Sequence, residues 1–311
     1  MKLINYKEGR YPSQPDPYLI KAGDRFYLYV TGADGVHAYA SNSLDGEYED
    51  LGIVFSVDGY KEYWAPSVIE LEGRYYMYVS FMPADEEDVH LEALHVAISD
   101  DPCGPFRLVT QLTAPFSIDA HVVKNEDGLF LFYSVNDYEA ERAGTYIVVD
   151  RLTDPFTVAG EPVAVVRPTL DEEIFMRDRF KKGQHWHTIE GAFYFSEGDD
   201  HYLIYSGNCY QNERYYLGYA YAHTAERDLT KMKFQKYPDD NTYAPLIAAN
   251  GFESGTGHCS VIRDQTGLFV IYHGRDLDSA PKAGEDDRTA RICRLEADGE
   301  RLMAYRYKDK L

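Results

Sequence analysis

The segment HWHTIEGAFYFSEGDDHYLIYSGN, from His185 to Asn208, has the pattern of an aromatic β-hairpin. Ala192 to Phe195 and Tyr202 to Tyr205 are dominated by residues with high β-propensity and predict two strands. Glu197 to Asp200 lies between them and holds the Gly and Asp residues that favour a tight turn. Glu190 stands before Gly191 at the start of the first strand, and packing alone does not explain a carboxylate there.

The same hairpin pattern recurs four more times along the chain. Each copy has a short apolar strand, a turn with Gly or acidic residues, and a strand rich in aromatic and β-branched residues. The other copies are DPYLIKAGDRFYLYV from Asp16, APSVIELEGRYYMYV from Ala65, DAHVVKNEDGLFLFY from Asp119 and GHCSVIRDQTGLFVIY from Gly257. A predicted third strand follows each hairpin and begins at Val36, Leu94, Thr145, Leu217 or Ala290.

These repeats predict an all-β protein with the architecture of a five-bladed β-propeller. Five units of three or more antiparallel strands begin roughly 50 to 70 residues apart, which is the spacing of propeller blades. Because the repeats run through the whole chain, we expect one domain over residues 1–311, although length alone favours two. Helical periodicity is scarce, and only Leu229 to Lys236 approaches a helical turn.

The composition is acidic. The chain carries 52 Asp and Glu against 31 Lys and Arg, for a net charge of −21. A negative surface repels phosphate backbones and anionic membranes, so neither nucleic acid nor a membrane is an expected partner. Most of this charge is explained by solubility, and only the acids at strand starts need a further explanation.

Cysteine spacing and the N-terminal sequence give no sign of a metal site or of export. Cys103, Cys209, Cys259 and Cys293 fall in different repeats without a CxxC pair, so we expect free thiols. The N-terminal residues contain no apolar run of the length found in secretory signals, and no segment approaches the ~20 apolar residues of a membrane span. The expectation is a cytoplasmic protein.

Two candidate site residues lie in the first two repeats. Asp16 stands between Pro15 and Pro17 on a stiff extended segment, and the alternative role is a turn-forming Asp. In the second repeat Trp64 occupies the place where other repeats have an acid. An aromatic residue at a site entrance can stack on a ligand, and the alternative is a core Trp.

The third and fourth repeats add two more acids. Asp119 begins a strand between small and apolar residues, where burial and neighbouring charge shift a pKa. A connection of unusual length, from Asp171 to His187, then leads to Glu190. Long connections on rigid folds are often binding elements.

The fifth repeat contributes His258 and Arg288. His258 follows a glycine-rich segment and is a candidate to bond a hydroxyl or to bind a metal through water, with a structural histidine as the alternative. Arg288 precedes the last repeat strand, and its planar guanidinium suits a pair of oxygen atoms. The alternative for Arg288 is a surface salt bridge.

These residues from different repeats can meet because the first strands of propeller blades line the central channel. Carboxylates facing each other across an aromatic-lined pocket are the groups that glycoside hydrolysis requires. One carboxyl protonates the leaving oxygen and another activates water.

With these motifs in order, the chain resembles glycoside hydrolase family 43, a family of five-bladed β-propellers, over nearly its whole length. The resemblance is carried by six motifs: PDPYLI at Asp16, WAPSVIE at Trp64, IDAHVV at Asp119, TIEGAFYF at Glu190, GHCSVI at His258 and YHGR before Arg288.

The resemblance implies a role for each matched position. Asp16 is similar to the family's general base, Glu190 to its general acid, and Asp119 to the acid that orients Glu190 and raises its pKa. Trp64 is similar to a pocket wall, His258 to the axial histidine near a central cation or water, and Arg288 to a substrate-binding arginine. The family inverts configuration and requires no cofactor, although a calcium or other cation at the axis is implied as an option.

The expected activity is that of an exo-acting α-L-arabinofuranosidase on arabino- or arabinoxylo-oligosaccharides. Several β-xylosidases of the family carry an additional C-terminal domain that this sequence does not contain, which favours arabinose. An exo-β-xylosidase is the alternative within the family. A sugar-binding propeller without catalysis is the alternative from another class, and retention of all three acids argues against it.

Overall fold

The computed structural model describes residues 1–3, 13–277 and 286–307, and its regular structure is almost entirely β-strand. The segment around Glu190 forms the predicted hairpin, with strands Trp186–Glu197 and Asp200–Gly207 joined at residues 198–199. The first strand begins six residues earlier than the sequence predicts. The prediction of an all-β fold is confirmed.

The strands follow one another as antiparallel units in chain order. Unit 1 contains β1 (Tyr18–Ala22), β2 (Arg25–Val30), β3 (Val36–Ser41) and β4 (Glu49–Phe55). Unit 2 contains β5 (Tyr60–Leu71), β6 (Arg74–Pro83), β7 (Ala93–Ser99) and β8 (Arg107–Gln111). Unit 3 contains β9 (Ile118–Asn125), β10 (Gly128–Asp137), β11 (Gly144–Asp154), β12 (Thr157–Val158) and β13 (Val163–Val166).

The remaining strands complete two further units. A short strand, β14 (Ile174–Met176), pairs with the start of β15. Unit 4 contains β15 (Trp186–Glu197), β16 (Asp200–Gly207), β17 (Tyr216–His223) and β18 (Gln235–Lys236). Unit 5 contains β19 (Glu253–Asp264), β20 (Gly267–Asp276), β21 (Thr289–Asp298) and β22 (Arg301–Tyr305).

Hydrogen bonding joins units 3 and 4 into one large sheet. The link is a two-residue parallel pairing, in which Gly144 and Thr145 of β11 face His187 and Thr188 of β15. Units 1, 2 and 5 are separate four-stranded sheets. The strand pairing therefore fits five successive antiparallel units, with an additional contact between the third and the fourth.

Regular helix in the described ranges is limited to two single 3₁₀ turns, at Val89–Leu91 and Asp171–Glu173. The sequence signal for a helical turn at Leu229 to Lys236 was wrong, because this segment forms turns and ends in strand β18. Its apolar residues are spaced for burial under unit 4, where Leu229 and Met232 join the core. All four cysteines are free thiols, as expected.

Buried tyrosines connect neighbouring units, which explains why this residue type is so frequent. Tyr29 of unit 1 donates its hydroxyl proton to the carbonyl of Pro102 in unit 2, at 2.6 Å. Tyr78 of unit 2 makes the equivalent bond to Pro155 in unit 3, at 2.9 Å. Because a tyrosine ring fills apolar space while its hydroxyl satisfies a carbonyl, this residue suits the interface between two sheets.

Each unit has a residue with left-handed backbone in its first strand or, in unit 1, two residues before it. These equivalent residues are Asp16 (φ 52°), Ala65 (φ 46°), Asp119 (φ 61°), Gly191 (φ 64°) and His258 (φ 41°). In units 2 to 5 the pairing register between the first two strands shifts at this residue. A β-bulge re-aims side chains locally, so the repeated bulge turns the same position of every unit away from the regular alternation of the strand.

A second set of equivalent residues, on or directly after the second strand, supports three of these five residues. At each of the three junctions, the residue in one unit accepts a hydrogen bond from the backbone N–H of the left-handed residue in the next unit. Thr31 Oγ1 accepts from Ala65 N at 2.8 Å, and Ser206 Oγ accepts from His258 N at 2.8 Å. The last unit bonds to the first in the same manner, since His273 Nδ1 accepts from Asp16 N at 3.1 Å.

The bond from unit 5 to unit 1 closes the chain into a ring, and backbone bonds reinforce the closure. Leu3 N donates to Ala290 O at 2.9 Å, and Ile292 N donates to Met1 O at 2.8 Å, so the first residues pair with β21. Hydrogen bonds at three junctions therefore tie the left-handed residues of units 1, 2 and 5 to the neighbouring unit.

We predict that Thr31→Val lowers the free energy of unfolding by about 1 to 3 kcal/mol, because the Ala65 N–H loses its acceptor and Asp16 loses a donor. Thr31→Ser retains the hydroxyl and serves as the matched control. Urea unfolding followed by tyrosine fluorescence measures both variants. Equal stability of the Val and Ser variants would show that this bond does not support the ring.

Candidate active site

Asp16 is held from three sides at the end of the first unit's entry segment. Its Oδ2 accepts from Thr31 Oγ1 at 2.6 Å, and its Oδ1 accepts from Arg288 Nη1 at 3.3 Å. Its backbone N–H donates to His273 Nδ1, which requires a neutral imidazole at that atom. Burial lowers the pKa of His273 to about 4, in agreement with this neutral form.

The electrostatic surroundings of Asp16 favour its ionised form. Burial by itself raises the pKa of Asp16, but the guanidinium of Arg288 together with His258 and His273 outweighs burial and holds the pKa well below its usual range. His258 Nδ1 lies 3.6 Å from Asp16 Oδ1 and acts in the same direction. Asp16 is therefore a carboxylate over the whole physiological pH range.

Asp119 and Glu190 have the opposite surroundings, because their hydrogen-bond partners are neutral. Asp119 Oδ2 accepts from Gly191 N at 3.0 Å, and Glu190 Oε1 accepts from the Tyr215 hydroxyl at 2.8 Å. Burial, followed by the charge of Glu190 and then that of Asp16, raises the pKa of Asp119 well above its usual range. Burial also raises the pKa of Glu190 to about 7, although the Tyr215 bond lowers it in part.

These three carboxyls form one electrostatic cluster with divergent proton affinities. Asp16 is ionised, whereas burial favours the protonated forms of Asp119 and Glu190, and the charge of Glu190 raises the pKa of Asp119 further. Carboxyls whose environments separate their pKa values are the usual basis for one group acting as a base and another as an acid. The structure thus brings together the three acids that the sequence analysis selected.

Gly191 is required by the geometry of this cluster. Its φ is +64°, and a Cβ atom there would lie 3.0 Å from His258 Nδ1. The His258 ring therefore packs directly on the glycine backbone, while the Gly191 N–H binds Asp119. Gly191, rather than Glu190, is the unit 4 equivalent of Asp16 and Asp119. Glu190 precedes the bulge by one residue.

The same alignment relates Trp64 to Glu190. Trp64 also precedes a left-handed residue, Ala65, so its position corresponds to that of Glu190 and not to that of Asp16. Its indole Nε1 donates to Glu62 Oε2 at 2.9 Å, and its side chain is partly buried. Trp64 connects to the cluster through Ala65, whose N–H binds the same Thr31 hydroxyl that binds Asp16.

Arg288 is buried within the cluster and is not the surface salt-bridge residue of the alternative reading. Its Nε and Nη2 donate to the two carboxylate oxygens of Asp286 at 3.0 and 2.6 Å, and its Nη1 reaches Asp16. The ring of Tyr210 lies 4.7 Å from the guanidinium carbon. These contacts fix the plane of the guanidinium. Burial alone would lower the pKa of Arg288, but the carboxylates of Asp16 and Asp286 raise it above its usual value.

Sequence reasoning missed several residues that support the three acids. Thr31 and His273 occupy the same position on the second strand of their repeats, so aligning the repeats would have revealed them. Tyr215 stands just before β17 and shows no pattern that marks it. Its ring stacks on His273 at 5.6 Å between centroids, which directs its hydroxyl to Glu190.

The donors around His258 do not fit a directly bound cation. Within residues 1–3, 13–277 and 286–307, no group of three or more His, Cys, Asp and Glu side chains is arranged to hold a metal ion. The nearest carboxylate to His258 is already paired with the positive Arg288. The axial cation therefore stays a prediction, and no step proposed below uses one.

Comparison with known proteins identifies the family. The model of glycosyl hydrolases family 43 matches residues 11–300. The chain belongs to this family. Family 43 membership agrees with the cluster of three carboxyls described above. No helix in the described ranges is both long and apolar enough to cross a membrane.

Relatives of this family 43 chain act on arabinose- or xylose-containing substrates, according to their names. The chain is 29% identical over 208 residues to a "Xylosidase/arabinosidase 43A" of Humicola insolens, a match covering 54% of this chain and 62% of that protein. It is 22% identical over 298 residues to a "Probable arabinan endo-1,5-alpha-L-arabinosidase C" of Aspergillus clavatus, covering 88% and 85%. The Humicola match thus spans less than two thirds of that relative.

A solved structure confirms the likeness of fold. The crystal structure of a thermostable family-43 glycoside hydrolase superposes with a TM-score of 0.78 at 28% identity. The superposition covers 96% of this chain and 95% of the other. The sequence-based assignment to family 43 is therefore confirmed.

We predict that Gly191→Ala destabilises the protein by more than Gly198→Ala. Both glycines have left-handed φ values, +64° and +66°, so both substitutions carry a strain of about 1 to 2 kcal/mol. Only at Gly191 does the new methyl group meet another side chain, since a Cβ at Gly198 has no atom within 4 Å. Urea unfolding of the two variants isolates the contact with His258. Equal losses would contradict this contact.

Proposed function

We propose that this protein is an inverting, exo-acting α-L-arabinofuranosidase that releases arabinose from the ends of arabino- or arabinoxylo-oligosaccharides. The observation that carries the proposal is the opposite shift of two pKa values in one cluster. Arg288 keeps Asp16 ionised, and burial raises the pKa of Glu190 to about 7, so that a base and an acid coexist at neutral pH.

In the proposed reaction Asp16 takes a proton from water as the water oxygen attacks the anomeric carbon. Glu190 gives its proton to the glycosidic oxygen as the bond between this oxygen and the anomeric carbon breaks. Asp119 acts through Glu190 as the modulator of its pKa, because the two carboxyls are electrostatically coupled and Asp119 binds the N–H of Gly191, the residue after Glu190. Arg288 holds Asp16 and presents its guanidinium to substrate hydroxyls, while Trp64 and His258 bound the sugar.

Burial of the acids supports exo action. Asp16 and Asp119 are 9% and 6% exposed. Such enclosed groups suit a pocket that admits a chain end more than an open cleft that a polymer crosses. The choice of arabinose is supported by the names of the two relatives, and xylose is the alternative because one name includes both sugars.

The experiment that tests the function compares wild type on three substrates: the nitrophenyl α-L-arabinofuranoside, the nitrophenyl β-xyloside and a linear arabino-oligosaccharide. We expect faster hydrolysis of the arabinoside, and from the oligosaccharide free arabinose together with the chain shortened by one unit in the first turnovers. A faster reaction on the xyloside would favour the xylosidase, and early release of internal fragments without free arabinose would contradict exo action. Failure on all three substrates would favour a binding protein.

We predict that Glu190→Gln lowers kcat on oligosaccharides by about 10²- to 10⁴-fold, because the variant cannot protonate the leaving oxygen. The loss should be smaller on nitrophenyl glycosides, whose leaving group needs little protonation. Steady-state kinetics on both substrates tests the role. An equal loss on both substrates would argue against Glu190 as the acid.

We predict that Tyr215→Phe moves the basic limb of the pH profile of kcat/KM upward by up to about one unit. The Tyr215 hydroxyl stabilises the ionised form of Glu190, so its removal raises the pKa of Glu190 further and preserves the protonated acid to higher pH. Tyr216→Phe is the control, because the Tyr216 hydroxyl faces Glu173 instead. If the basic limb stays in place or moves to lower pH, the ionisation of Glu190 does not control that limb.

A further inference from the structure

The long connection before Glu190 folds into a braced hairpin that the carboxyl cluster does not use. Strand β14 pairs with the start of β15, and Arg179 N donates to Gln184 O at 3.1 Å. The base of the hairpin is anchored by Glu173, a fully buried carboxylate that pairs with Lys236 Nζ at 2.5 Å. A loop held in this manner presents its side chains in fixed positions.

This hairpin and the end of β10 form an aromatic cluster with exposed rings. Tyr138 and Phe180 are 45% and 54% exposed, and both pack on the buried ring of Trp186 at centroid distances of 5.1 and 5.6 Å. The Arg179 guanidinium lies 4.7 Å from the Trp186 ring on the same cluster. Water-exposed rings fixed by a buried tryptophan are costly for stability alone and are typical of binding surfaces.

A cavity of about 520 Å³ adjoins the aromatic cluster and shares Tyr138 with it. Its lining combines aromatic rings with hydrogen-bonding groups: His90, Thr113, Phe116, Tyr133, Asn136 and Tyr138. Arg179 Nη2 lies 3.3 Å from His90 Nε2 and so connects the hairpin to the cavity wall. Apolar faces with a few polar groups are the usual lining of small-molecule sites.

The cavity and the aromatic cluster each lie a few residues from one acid of the carboxyl cluster. Phe116 of the cavity wall precedes Asp119 by three residues, and Trp186 of the aromatic cluster precedes Glu190 by four. An extended chain covers at most about 3.6 Å per residue, so the two residues start within about 11 to 14 Å of the two acids. One segment therefore leads from the cavity, and another from the adjoining aromatic cluster, to the same pair of carboxyls.

We propose that this cavity and the rings of Tyr138 and Phe180 bind the sugar units that extend beyond the one held by the carboxyls. The ligand class is a neutral pentose oligosaccharide. Its C–H faces pack on the two exposed rings, and its hydroxyls bond to the Thr113, Asn136 and His90 side chains. This inference rests on the proposed function, because it assigns the remainder of the same substrate.

The test measures how kcat/KM depends on substrate length in Phe180→Ala and Tyr138→Ala. The ratio of kcat/KM for arabinotriose to kcat/KM for methyl α-L-arabinofuranoside is expected to fall about five- to twentyfold, mainly through KM for the trisaccharide. Phe180→Tyr keeps the ring and should restore the ratio. Tyr305→Ala on the outer strand β22 removes a ring of similar exposure, 37%, and is the matched control.

Failure of the inference is distinguishable from failure of the proposed function. A wild type that cleaves xylosides and not arabinosides contradicts the function alone, and the same ratio is then measured with xylotriose and methyl β-xyloside. A ratio unchanged in both alanine variants, or lowered equally by Tyr305→Ala, overturns the inference. If wild type cleaves neither series, calorimetry with arabinotriose and xylotriose decides, and equal affinity of wild type and Phe180→Ala overturns it.

Discussion

The site depends on the hydrogen bonds that the left-handed residues of units 1, 2 and 5 donate to the preceding unit in the ring. Four of the five left-handed residues are not glycine, and such a conformation costs about 1 to 2 kcal/mol for each residue. Thr31, Ser206 and His273 offset part of this cost, because each accepts a hydrogen bond from the backbone N–H of a left-handed residue. The strain is maintained because the same bonds join neighbouring sheets.

This constraint places the catalytic candidates in strands or directly beside them. Asp16 and Asp119 are themselves left-handed residues, and Glu190 lies one residue before another. Hydrogen bonds fix all three: Asp16 N donates to His273, Asp119 Oδ2 accepts from Gly191 N, and Glu190 Oε1 accepts from Tyr215. The cluster is therefore preorganised, and its charges meet fixed dipoles in place of water, which is the condition for strong electrostatic catalysis.

The buried acids of this protein fall into two groups that differ in their hydrogen-bond partners. Glu173 and Glu253 are fully buried, yet each is paired with a cation, Lys236 for the first and Arg291 with Arg306 for the second. Asp119 and Glu190 receive only neutral donors, so burial raises the pKa of each, and the charge of Glu190 raises that of Asp119 further. At Glu173 and Glu253 the cost of desolvating a carboxyl is thus offset by an ion pair. At Asp119 and Glu190 the same cost raises the pKa of groups that can transfer protons.

The sequence alone determined the repeat, the all-β fold and the family, because strand propensity and motif order are local properties written into consecutive residues. It also selected Asp16, Asp119 and Glu190, since an acid at a strand start departs from the local pattern. The tertiary structure decided the partners of these acids: Tyr215 lies 25 residues from Glu190, and Arg288 lies 272 residues from Asp16. Proton affinity depends on burial and on charges brought close by folding, and neither quantity is encoded in neighbouring residues. For this reason the opposite states of Asp16 and Glu190, and the need for glycine at position 191, emerged only from the folded chain.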